Sequence, residues 1–118
     1  MKQNCLPKLS YKDVRHLGQG LERPESVQVL VDGTLAVSHR GRGVSILAPD
    51  GTHTTCGPTH AQAGNEELIP NGIAPQPDGS FLIANIGEGG GVWQLSRGGA
   101  LSPYLMDVDG QFLAAPTL

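Results

Sequence analysis

Apolar residues along this chain come in short runs, each stopped within a few positions by glycine, proline or aspartate. The runs at 27–31 and 73–76 each lead to an Asp-Gly pair, Asp32-Gly33 and Asp78-Gly79. The tolerance of such pairs for positive φ suits a tight hairpin turn. The next runs, 35–38 and 81–84, are apolar on both faces, as expected of strands covered on both sides. Third strands are predicted at 44–47 and 92–95. The stretches "APDG" and "SRGG" supply the following turns, and fourth strands are predicted at 53–56 and 101–105. No run is long enough, or has the period, for a helix to be preferred.

These eight strands are one set of four written twice. Pro24 matches Pro70, Glu25 matches Asn71, Val27 matches Ile73, and "TLAVSH" lies over "SFLIAN", all at an offset of 46. A two-residue insertion after Gly87 moves the offset to 48, where "GVSIL" matches "GVWQL". A period of 40–50 residues carrying several short strands is the signature of propeller blades rather than of a helical solenoid. Pro116, the third proline of this series, repeats the interval once more. The expected organisation is an all-β chain: an N-terminal segment over 1–22 that could supply an outer strand, a first four-stranded blade over 23–58, and an inter-blade loop over 59–69. A second blade follows over 70–115, and 116–118 begin a third. Two blades leave a bare strand edge on each side, so this reads as part of a larger ring.

Composition narrows the function classes. The 118 residues include 17 Gly and 9 Pro, which fits many turns. With a net charge of −3 and 4% aromatic residues there is neither a basic footprint nor a stacking platform for nucleic acid, and none for an anionic membrane. The N-terminus "MKQNCLPKLSYKD" lacks the apolar core of a signal peptide, and no apolar run approaches bilayer length. The expectation is a soluble, cytoplasmic chain. Cys5 and Cys56 are the only cysteines; their spacing does not pair them, a disulfide stays open, and free thiols are the expectation.

The stretches "RPESV", "DGTLAVSHRGRGVSILAPDG" and "PNGIAPQPDGSFLIANIGEGGGVWQL" carry a family likeness. Over 21–118 the chain resembles the senescence-marker-protein/gluconolactonase family, with its luciferin-regenerating-enzyme-like relatives. The resemblance implies a six-bladed β-propeller of which about two blades are present. It also implies a divalent metal, usually Ca²⁺, at one end of the central channel, and hydrolysis of lactones there. Glu25 in "RPES" matches the family's first metal ligand, and Asn71 in "PNGI" matches an entry position where asparagine supplies a side-chain oxygen. Hard cations take such oxygen ligands. Thr117 stands where a third blade would present asparagine. The later aspartate ligand and the acid/base carboxylate have no counterpart, so no catalytic residue is assigned. Activity then requires further blades, from a longer chain or from self-association; three copies of two blades would give a six-bladed trimer acting on a small-molecule lactone.

Other motifs invite plainer readings. Asn71 also stands in an Asn-Gly turn signal, Glu25 at a strand start, and Asn85 and His39 at strand ends. "GEGGGVW" lacks phosphate-loop spacing and leads into a strand. The four histidines show no paired metal-ligand spacing, and no serine sits in a nucleophile elbow. Trp93 is expected in the core or between blades. The rival function is a non-catalytic β-sheet interaction module that adds a partner's strand to its open edge, or an inactive remnant.

Overall fold

The computed structural model describes residues 8–115. Apart from one 3-10 turn at Tyr11–Asp13, its regular structure is all β. A first antiparallel sheet runs β1 (Val27–Val29), β2 (Leu35–His39), β3 (Gly43–Leu47) and β4 (His53–Thr55), in that order. A two-stranded hairpin follows, β5 (Gln62–Ala63) with β6 (Glu66–Glu67). The second four-stranded sheet runs β7 (Pro70–Pro75), β8 (Phe81–Asn85), β9 (Val92–Leu95) and β10 (Leu101–Leu105). A second small hairpin, β11 (Asp107–Val108) with β12 (Gln111–Phe112), completes the order. Neither sheet closes on itself, and no helix among the described residues is long and apolar enough to cross a membrane.

The two sheets share one register. Val27 pairs with Val37 and Ile73 with Ile83, each 46 positions apart from its counterpart. Val37 pairs with Ser45 and Ser45 with Thr55, as Ile83 pairs with Trp93 and Trp93 with Pro103. The offset therefore passes from 46 to 48 between the second and third strands, where the two-residue insertion was read.

The hairpin turns explain the register. In each of the four, the glycine N–H donates back to the carbonyl three positions earlier: Gly33 to Leu30, Gly51 to Ala48, Gly79 to Gln76 and Gly99 to Ser96, all at 2.9–3.0 Å. Each of these glycines has φ between +87° and +93°, a region costly for any side chain. The aspartates do not take positive φ, contrary to the reading of the Asp-Gly pairs as units. They act as acceptors instead. Asp32, Asp50 and Asp78 each take the backbone N–H and the hydroxyl of the residue two ahead, Thr34, Thr52 and Ser80, at 2.6–3.0 Å. The working signal is thus Asp-Gly-Thr/Ser. Those bonds hold each carboxyl below its ordinary value, the hydroxyl contributing most.

The core lies between the sheets. Side chains alternate between faces along a strand, and directly paired residues share a face. From the second sheet, Ile73, Phe81, Ile83, Trp93 and Leu95 point one way and meet Ala36 and Val44 of the first. β7 packs against β1, β2 and β3. Trp93 is buried as expected, and its indole N–H donates to the Gly90 carbonyl at 2.8 Å.

The segment read as an inter-blade loop is more ordered than its polar sequence suggested. Hairpin β5–β6 folds back on the turn between β2 and β3: Gly41 N–H donates to Leu68 O at 3.0 Å and Ala61 N–H to Gly41 O at 2.6 Å. Its partner β11–β12 repeats this on the second sheet, with Gly91 N–H to Leu113 O at 2.8 Å. The repeated unit is therefore four strands and a hairpin.

Candidate functional site

Glu25 and Asn71 occupy corresponding places, each where the first strand of its sheet departs from regular pairing. Glu25 precedes β1. Its backbone N–H and that of Ser26 both donate to the buried Ser38 hydroxyl at 2.9 Å, while Ser38 N–H returns to Ser26 O at 2.9 Å. Asn71 sits in a bulge of β7: Pro70 pairs with Asn85 and Ile73 with Ile83, so one extra residue lies on the β7 side. Bulges of this kind re-aim side chains at sheet ends.

The second sheet fastens its entry with a different residue. Asn85 is fully buried, and its Oδ1 accepts the Ile69 and Gly87 N–H groups at 2.9 and 3.0 Å. Its Nδ2 donates to Gly90 O at 3.0 Å. The strand-end reading of Asn85 agrees with this geometry, in which both ends of the amide are tied to backbone. His39, its counterpart, is also buried, with Nδ1 2.8 Å from Ser45 Oγ.

The donor types at Glu25 and Asn71 suit a hard cation, one carboxylate and one amide oxygen. The Glu25 carboxylate is exposed and takes the Arg23 Nε–H at 2.9 Å. Arg23 holds φ +50°, an uncommon value for a residue with a side chain. Asn71 is half-buried, and its side chain makes no hydrogen bond among the described residues. Calcium takes six to eight oxygens. Two donors fit in kind and fall short in number, and among the described residues no three His, Cys, Asp or Glu side chains converge as a metal-binding group. The third entry position, Pro116 and Thr117, lies outside the described residues, as does Cys5.

A polar cluster that sequence spacing did not reveal lies on the opposite face of the first sheet. His39, Ser45 and Thr55 are linked there, with Ser45 Oγ 3.4 Å from Thr55 Oγ1. His53 lies edge-on to His39 with ring centroids 6.0 Å apart, and its Nε2 donates to Gln19 O at 2.9 Å. Burial lowers the pKa of His39, with the Arg42 and His53 charges adding to the effect and Glu22 opposing it. Ser45 is fully buried beneath this cluster, so the serine–histidine contact offers no approach for a substrate. The only signal in sequence was a histidine ending β2 and a serine early in β3, which face-sharing across a hairpin brings together.

The glycine-rich stretch is a packing device. A side chain at Gly87 or Gly89 would press on the Glu67 or Ala63 carbonyl, at 2.8 and 2.6 Å, and one at Gly90 or Gly91 would strike Leu113 and Met106. The loop is wedged between the two small hairpins. No protein-family model matches the chain, and comparison with curated proteins returns no match.

Proposed function

We propose that this chain is a two-blade unit of a six-bladed β-propeller of the gluconolactonase type. In this reading its chemistry is divalent-metal-dependent hydrolysis of a small-molecule lactone, and it operates only when further blades complete the ring. The observation that carries the reading is the common register. It sets Glu25 and Asn71 at equivalent entries of β1 and β7, two strands that pack together. Repetition of the unit is a way to place one oxygen donor per blade around an axis. A bound Ca²⁺ would supply Lewis-acid polarisation of an ester carbonyl. The chain's own part is to present Glu25, backed by the Ser38 hydroxyl, and Asn71, aimed by its bulge.

A second reading, a non-catalytic β-sheet interaction module, is favoured by the incomplete donor set. Calcium titration by calorimetry, alongside a proton-release assay on γ- and δ-lactones, separates the two. Stoichiometric calcium binding and turnover confined to assembled protein, both lost in E25Q, is the expected result. An assembled protein that binds no calcium and hydrolyses no lactone would overturn the enzymatic reading and leave the module.

A further inference from the structure

The outer faces of the two sheets are each covered in part, and the parts left open lie at matching edges. The first sheet turns Ala36 and Val44, with the half-buried Leu30 and Ile46, toward the second. The second meets it with Ile73, Phe81, Ile83, Trp93 and Leu95. By the shared register, the face of the first sheet equivalent to that second surface carries Val27, Leu35, Val37, Ser45 and Leu47. On β1 this face is bare at Val27, which is 53% exposed, whereas its counterpart Ile73 is 3% exposed; Val29 and its counterpart Pro75 are both exposed. At the other end, the outward face of the second sheet presents half-buried Ala74 and Leu82, at the positions equivalent to Gln28 and Ala36, while Ala84 and Val92 on the same face are already buried, so the open part is its β7–β8 edge.

We propose that this chain docks head to tail with a second copy of itself, the bare β1 face of one copy seated on the outward β7–β8 face of the next. The internal packing is the template, since the same pair of faces already meets once within each chain. The small hairpins supply an independent sign. Ala63 of β5–β6 is 3% exposed because it rests under the second sheet's Gly89 loop. Val108, at the equivalent place in β11–β12, is 48% exposed. In the docked pair the turn between β2 and β3 of the second copy arrives over Val108, as the Gly89 loop arrives over Ala63.

The N-terminal segment is compatible with this seat. Gly18 lies against Leu47 with its N–H beside Gly51, as Gly57 lies near Leu95 with Cys56 O beside Gly99. It lies over the β3–β4 side of the face in the way that the end of a preceding unit would; Val37 of β2 is buried as well, and only β1 is left open. A face that binds a different face of its copy gives a ring if the rotation closes and a row if it does not. Closure at three copies rests on the propeller reading above; the docking itself does not.

The test is light scattering on the full chain across a wide concentration range, with V27K and A74E as blocking variants. Val27 is half-exposed and Ala74 half-buried, and far-UV circular dichroism checks that both variants keep the wild-type β signal; V27E replaces V27K if that variant does not fold. The wild type should reach three times the chain mass, each variant alone should stay at one, and their equimolar mixture should reach two. That last result belongs to a head-to-tail contact alone, because each partner keeps one intact face. A monomeric wild type at all concentrations, or a mixture of folded variants that stays monomeric, overturns the docking. A wild type that grows past three copies, with the mixture still dimeric, upholds the docking and counts against a six-bladed ring. Each outcome is read without calcium or lactone, so it stands apart from the enzymatic reading.

Discussion

The first and second sheets are built from one pattern, yet valine at position 27 lies half in solvent while isoleucine at position 73 is sealed in the core. The pairing of matched strands and the strand order are the same on both sides of the comparison. What differs is the neighbour. The hydrophobic pattern specifies which face of a strand is to be buried, and position in the stack decides whether anything buries it.

The sharpest way to test this is to make the same truncation at both members of a pair. Ile73→Ala should cost about 3 kcal/mol in urea unfolding, the usual loss for a buried isoleucine with its cavity. In the A74E background, which keeps the chain monomeric, Val27→Ala should cost about 0.5 kcal/mol or less, as for most surface substitutions. Equal costs would mean that the two sheets do not differ as described. The second contrast lies in the entries. Asn85→Ala strands the Ile69 and Gly87 N–H groups, Gly90 O keeping its bond from Trp93, and should cost roughly 2–3 kcal/mol, while Ser38→Ala strands the Glu25 and Ser26 N–H groups nearer the surface and should cost roughly 1–2 kcal/mol.

Acid should separate the sheets more gently. The folded chain holds the His39 pKa below its ordinary 6.5, so the unfolded chain binds this proton first as pH falls. The contribution of His39 is complete above pH 6.5 and is lost as pH drops through the folded value. His39→Gln, in the first sheet only, should flatten that limb of a stability-against-pH curve. The smallest effect comes from the turns. Asp32, Asp50 and Asp78 are held below 3.8, so their contributions persist above that pH and fade as it falls through the folded values. Asp32→Ala and Asp78→Ala should lower the thermal midpoint slightly and alike at pH 7, and by less at pH 3.

The strands, their order and the change of offset were legible because Asp-Gly-Thr/Ser marks three of the four turns, and turn chemistry is local. The small hairpins were not. Their strands are two residues long and mostly polar, and they form because glycines in the sheet turns leave room for their backbones. The pairing of His39 with Ser45 and the fastening of entries by Ser38 in one sheet and Asn85 in the other also escaped the sequence. Each depends on which face two strands share, and the fastening residue shifts by one position between copies. Glu25 and Asn71 were legible as matched positions. Their different settings, one ion-paired before its strand and the other in a bulge within it, were not.

The heterologous contact between the sheets has a consequence for how such a chain can change in evolution. Because the donor face and the acceptor face of a unit are different surfaces joined by one register, the span 70–115 is a cassette: duplicated in tandem, its new copy would meet on each side a surface shaped for it. Gene length can then change by whole units without redesigning a core.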